Sequence, residues 1–211
     1  MRFAVFLSLL SCICHAGPTY YVSLSGNNTT GLSWQQAFTD LQNAVNTAHL
    51  TATQTNPSTV IVDGNVFDVP NGLIIRENVN VIGQGAGASV LRTGGTVFLE
   101  WNCSLSRMSL EASSVQTILS AMWGGSGQIQ VSRCIIDGEE HQSRSAGAPT
   151  IGIMVRGGAF SSVQISDCAV SNVDVGILTI DSGVNIARCL FNDISQDAVM
   201  ATTERFGKEN Q

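Results

Sequence analysis

Three stretches of this chain can be laid over one another: Val131 to Asp137, Ile165 to Ser171 and Ile186 to Asn192. In each, a β-branched residue is followed three positions later by a cysteine, at Cys134, Cys168 and Cys189. A fourth stretch, Leu105 to Glu111, fits with Met108 in the cysteine slot. A second short apolar segment follows each one, opening at Thr117, Gly152, Gly176 and Ala198. Self-similarity of this kind means stacked structural units, each too small to bury its own apolar face. Within a unit, Ile129, Val131, Cys134 and Ile136 point inward, with a bend at Ser132 and Arg133 interrupting the alternation. Val163, Ile165, Cys168 and Val170 repeat the scheme, as do Val184, Ile186, Cys189 and Phe191. The slot three residues after the cysteine holds Glu111, Asp137, Ser171 and Asn192, which read as turn formers, with Asn172 as a substitute for Ser171.

Coils of about 21 to 26 residues with two or three short strands predict an all-β fold, a right-handed parallel β-helix of roughly six coils. A leucine-rich repeat needs a leucine/asparagine pattern that is missing here, and a propeller needs longer antiparallel blades. The composition agrees: 44% apolar residues, 12% charged and 21 glycines suit short buried strands joined by tight turns. A formal net charge of −6 argues against nucleic acid as a partner, because that requires a dense Lys/Arg field.

Residues 1–16 read as an export signal: Arg2 precedes the apolar run from Phe3 to Leu10, and Cys14-His15-Ala16 resembles a cleavage site. Alternatively, Leu9 to Cys12 is a bacterial lipobox that anchors the chain at Cys12. Either reading places the protein in the secreted, periplasmic or cell-surface space. Residues 17–58 then carry a strand at Tyr20 to Leu24 and a helix from Trp34 to about Leu50, N-capped by Ser33. The solenoid occupies 59–203, and 204–211 form a polar tail. The mature cysteines do not have the spacing of a zinc site. They are either a column of buried thiols or include one bridge, Cys134–Cys168 or Cys168–Cys189.

One coil carries an insertion of about ten residues within Asp137 to Pro149, and insertions in a solenoid are loops on one face. Asp137, Glu139, Glu140, His141 and Arg144 make it the densest polar group in the chain. With Arg133 and Arg156 nearby, it is the candidate ligand site, set against a loop that is polar because it is solvated. No catalytic residue or metal ligand is assigned; acids able to hold calcium are dispersed, one or two per coil. A column before the Cys/Met slot, Arg107, Arg133, Asp167 and Arg188, is either an ion-pair ladder or a stripe for an acidic glycan. Trp101 and Trp123 are sugar-stacking platforms or half-buried edge residues, and Asn27, Asn28 and Asn102 head glycosylation sequons.

Tyr21 to Trp34 followed by Ala37 to Val45, with Val60-Ile-Val-Asp-Gly, Val79-Asn-Val-Ile-Gly and the Val-x-Ile-x-x-Cys units, resembles secreted bacterial proteins of the pectate-lyase-like β-helix superfamily. The resemblance covers Tyr20 to about Thr202. It implies that the helix caps the open end of the core. It also implies polysaccharide chemistry, for which the superfamily's lyases use a calcium cluster with a Lys or Arg base. Here the only lysine is Lys208, and neither an Asp-Asp pair nor a Gly-His-Gly occurs. The expectation is therefore an exported protein that binds, or binds and processes, an extracellular polysaccharide. The competing expectation is a non-catalytic structural or adhesive module, with an uncovered last coil open to self-association.

Overall fold

The computed structural model describes residues 17–112, 115–122, 127–138, 149–157 and 162–202. Strand β1 (Thr19–Val22) and helix α1 (Leu41–Thr51) precede the coils. The first coil is β2 (Ser58–Val62), β3 (Val66–Val69) and β4 (Leu73–Ile75); the second is β5 (Val79–Gly83), β6 (Val90–Thr93) and β7 (Val97–Leu99). The third is β8 (Cys103–Ser106), β9 (Ser109–Ala112) and β10 (Thr117–Met122); the fourth is β11 (Gln128–Ser132), β12 (Ile135–Gly138) and β13 (Ile151–Arg156). The fifth is β14 (Ser162–Ser166) and the long β15 (Ala169–Ile180), and the sixth is β16 (Val184–Ala187) and the long β17 (Leu190–Thr202). The named strand pairings are all parallel, the mark of a parallel β-helix.

One sheet has seven strands in the order β1-β2-β5-β8-β11-β14-β16. The other has ten and doubles back through β15, whose first half continues the β3-β6-β9-β12 stack and whose second half continues β4-β7-β10-β13. A register shift between Val173 and Val175 marks the bend, so two faces of each coil merge into one long strand there.

The repeat sets the core. Inward residues of the seven-stranded sheet stack as Val60, Val81, Leu105, Val131, Ile165 and Ile186. Those of the facing sheet stack as Phe67, Leu91, Leu110, Ile136, Val170 and Phe191. Leu105, Leu110 and Ile136 are fully buried, and each such side chain contributes roughly 1.5–3 kcal/mol. Cys134, Cys168 and Cys189 occupy successive rungs, because Ala169 N donates to Cys134 O (2.9 Å) and Leu190 N to Cys168 O (2.8 Å). Their thiols are free, and Cys134 and Cys168 are buried.

The bend before the cysteine has a specific cause. Arg107, Arg133, Asp167 and Arg188 all take left-handed conformations, with φ of 58°, 55°, 55° and 53°. That conformation is costly for residues with a Cβ. It is held by the neighbouring coil: Arg107 N donates to Ser132 O (3.1 Å), Arg133 N to Ser166 O (3.0 Å) and Asp167 N to Ala187 O (3.0 Å).

Three local expectations change. The helix starts at Leu41 rather than Trp34, and its N-cap is Asp40, whose carboxylate accepts from Asn43 N (2.6 Å). The backbone of Phe38 is already engaged by the sheet, accepting from Ser23 N (2.9 Å) and donating to Tyr21 O (2.9 Å), so it cannot join the helix. Ser33 instead closes a turn by accepting from Gln36 N (3.3 Å). Glu111, Asp137, Ser171 and Asn192 lie inside β9, β12, β15 and β17 rather than in turns; the left-handed residues are the next ones, Asn172 (φ 56°) and Asp193 (φ 51°). Thr117 pairs with Ile151, not Gly152, while Gly152 stacks on Gly176 and Gly176 on Ala198.

Helix α1 packs on β1 and β2 and buries Leu41, Ala44, Val45 and Ala48 against the first coil. The Gln42 amide bonds both ways to the Ile74 backbone on β4, donating to its carbonyl (3.0 Å) and accepting from its N–H (2.8 Å). A side chain thus satisfies backbone groups on the first coil's edge, where an unpaired strand invites association. In the last described coil, Ile186, Cys189, Phe191 and Ile194 are only partly buried and Val199 is 46% exposed.

Candidate functional site

The sequence placed the site around the inserted loop, and the described residues of that group lie at three different positions of the fourth coil. Arg133 occupies the corner between β11 and β12 and is exposed. Asp137 points outward from β12, where its Oδ1 accepts from Ser171 Oγ (2.8 Å) and Asn172 Nδ2 (2.7 Å). Its carboxylate therefore ties the fourth coil to the fifth. Arg156 ends β13, in register with Met122 and Ile180. Glu139, Glu140, His141 and Arg144 lie outside the described residues, as does Trp123. Trp101 sits half-buried in the turn before β8.

A different set of residues converges on the outer face of the seven-stranded sheet. A strand alternates its side chains, so every second residue of β2, β5, β8, β11, β14 and β16 points outward. In register these are Thr59, Asn80, Ser104, Gln130, Gln164 and Asn185. Two residues further on, Ser106, Ser132 and Ser166 form a parallel row of hydroxyls, continued towards the N-terminus by Ile82, Ile61 and Tyr21. The Tyr21 ring lies against Trp34, with centroids 4.7 Å apart.

Both rows are uncharged. Ser104 Oγ donates to Asn80 Oδ1 (2.7 Å), which locks the first rungs. Among the described residues the side-chain amides of Gln128, Gln130 and Gln164 have no internal partner, so their donors and acceptors face solvent. The interior behind them carries the buried thiols Cys103, Cys134 and Cys168, of which Cys134 has its pKa lowered by its hydrogen bond with Cys168. Burial pushes the Cys103 thiol up, and the hydrogen bond with Cys134 together with burial pushes Cys168 up. Burial also raises Cys189. Neutral thiols of this kind are not nucleophiles.

The corner column borders the hydroxyl row. Arg107 Nη2 donates to Gln84 O (2.8 Å). Arg188 grips Asp167 with both Nε (2.6 Å) and Nη2 (2.8 Å), and this pairing holds the Asp167 carboxyl below the usual carboxylate range, with the Arg133 charge adding to the effect. Arg133 itself has no carboxylate within ion-pair distance among the described residues. The column is thus an ion pair at one end, a backbone clamp at the other, and between them the exposed Arg133 guanidinium, whose charge acts on Asp167. Among the described residues no group of three or more His, Cys, Asp or Glu side chains converges to hold a metal ion.

Sequence reasoning singled out Arg133 but missed the amide ladder. The signal was present at the middle position of each inward pair, as in Ile129-Gln130-Val131 and Val163-Gln164-Ile165. Comparison with known proteins finds no matching family model, no matching curated protein and no matching solved structure.

Proposed function

We propose that this is an exported polysaccharide-binding protein of the pectate-lyase-like β-helix kind, and that the glycan lies along the outer face of the seven-stranded sheet. The observation that carries the reading is the in-register ladder of Asn80, Ser104, Gln130, Gln164 and Asn185 beside the Ser106, Ser132 and Ser166 row. Parallel strands repeat about every 4.8 Å, so the face presents uncharged donors and acceptors at a fixed period. A polysaccharide offers hydroxyls at a regular period too, and a chain running parallel to the solenoid axis meets one set of side chains per rung. Arg133 at the border supplies one cation for a carboxylate or sulfate on that chain.

The face supports binding rather than cleavage. The two rows carry no carboxylate, and the nearest described acid at the corner, Asp167, is engaged by Arg188. The signal-like residues 1–16 support export.

A glycan-array screen of the mature protein tests the proposal, followed by the same screen of Gln130→Ala, Gln164→Ala and Arg133→Ala. Each lost hydrogen bond is worth about 0.5–1.5 kcal/mol, or roughly 2- to 12-fold in affinity. Unchanged binding in all three variants removes the face from consideration. A second reading, a structural surface module that assembles through its last coil, is favoured by the exposure of Val199 and the half-buried Phe191 and Ile194. Sedimentation at rising concentration separates the two, since only the module self-associates.

A further inference from the structure

The glycan-binding face ends in a groove. The segment between α1 and β2 lies beside the Asn80 end of the ladder, and Gln54 and Pro57 from that segment stand across a cavity of about 150 Å³ from Asn80, Asn102, Gln128 and Gln130. We infer that this groove is a subsite for the terminal, uncharged sugar of the bound chain. The inference rests on the polysaccharide reading above and narrows it to recognition of a chain end.

Three observations carry it. The first is size: the groove's volume of about 150 Å³ is on the scale of one six-membered ring. The second is charge. None of the lining residues is charged, and Cys103, which also lines the groove, is a buried thiol donating to Glu100 O (2.9 Å). A uronate placed here gives up hydration with no cation to receive it, whereas a neutral sugar needs only hydrogen bonds. These are on offer in both senses. Asn102 Nδ2 is engaged by Asn78 Oδ1 (2.6 Å) and Asn80 Oδ1 by Ser104 Oγ, which leaves the Asn102 carbonyl, the Asn80 amino group and the whole amides of Gln128 and Gln130.

The third is the wall. Thr53 and Asn56 bond each other in both directions, Thr53 N to Asn56 O (3.1 Å) and Asn56 N to Thr53 O (3.1 Å). Just beyond, Ser58 N donates to Asn78 O (3.0 Å). Gln54 is therefore carried on a closed turn and Pro57 is fixed at the first rung of the sheet. In the inferred mode, a glycan laid along the ladder from Asn185 towards Asn80 meets this wall and ends against it. The arginines that would suit an acidic sugar, Arg107 and Arg133, belong to the opposite edge of the sheet, after β8 and before β12. Acidic groups are thus read along the chain and a neutral one at its tip.

The test is competition for the immobilised array glycan by soluble probes at equal sugar mass. The probes are cellohexaose, β-1,4-galactohexaose and hexagalacturonate, each against its long parent polymer. Recognition of an end predicts that a neutral hexasaccharide outcompetes its polymer by the ratio of their chain lengths, because at equal sugar mass shortening multiplies the ends. Gln128→Arg, which puts a cation into the groove, should abolish that advantage and leave the melting temperature unchanged. Competition independent of chain length, lost in Gln164→Ala but not in Gln128→Arg, overturns the end subsite and retains the face. Absence of binding by the intact protein to any array glycan overturns the polysaccharide reading itself, and the subsite with it.

Discussion

The two sheets enclose one core yet show different outsides. On the ten-stranded sheet the middle of the outward column Asp68, Arg92, Glu111, Asp137, Ser171 and Asn192 is knitted internally: Arg92 pairs with Glu111 (3.1 Å) and Asp137 holds Ser171 and Asn172. Its second half presents an apolar column instead, Ile74, Phe98, Met154, Leu178 and Met200, interrupted by buried Ser120. On the seven-stranded sheet the amides of Gln130 and Gln164 engage no partner among the described residues. The repeat dictates what points inward on both sheets, because inward residues must interlock with the coils above and below. Outward positions are released from that demand, and the seven-stranded sheet has used the release to set uncharged amides and hydroxyls in register.

The comparison makes graded predictions. The largest effect belongs to the shared interior: Leu105→Ala behind the seven-stranded sheet and Leu110→Ala behind the other should each cost about 2–5 kcal/mol in urea unfolding. A cost under about 1 kcal/mol at either would mean that this leucine is not part of the shared core. Next, Gly176→Val should cost about 1–3 kcal/mol, since even a Cβ there stands 2.5 Å from Ala198 O and 2.7 Å from the Phe191 ring. Gln164→Val, on the outer face of the other sheet, should stay within about 0.5 kcal/mol of the parent. Asp137→Ala comes third, at about 1–2 kcal/mol for two lost hydrogen bonds, with glycan binding unaltered. A loss of binding in that variant would move function to the ten-stranded sheet.

The smallest effect is electrostatic. Because Arg188 depresses the pKa of Asp167 in the folded protein, their contribution is present above the unfolded-state carboxylate pKa and is lost as pH falls through the lower folded value. The melting temperature of the parent should therefore decline slightly more than that of Arg188→Ala over that acidic window. Both charges are exposed, so the difference should vanish at high salt. A difference that appears only above neutral pH would contradict the pairing.

Much of the architecture was legible because the inward positions repeat. Ile129, Val131, Cys134 and Ile136 are placed by spacing alone, and so are their counterparts one coil on. What was not legible depends on partners remote in sequence. Trp34 to Phe38 has helical periodicity, but Phe38 is drawn into the sheet by Tyr21 and Ser23. Ser171 and Asn192 look like turn formers, yet the left-handed residues are the next ones, Asn172 and Asp193, because the coil's corner is fixed by the ladder on either side. The one-residue offset at Thr117 is invisible in a spacing count, since an apolar run slips without changing character. As for the site, density of charge drew the eye to Asp137 and Arg133, while an uncharged ladder shows itself only when coils are set in register.

Chemical-shift mapping with a bound glycan tests the central claim most directly. The mature, isotope-labelled protein is titrated with whichever of cellohexaose, β-1,4-galactohexaose or hexagalacturonate competes on the array. Side-chain amide signals of Gln128, Gln130 and Gln164 and backbone signals of β8, β11 and β14 should move, while those of β9, β12 and β13 stay in place. Shifts confined to the ten-stranded sheet would contradict the account.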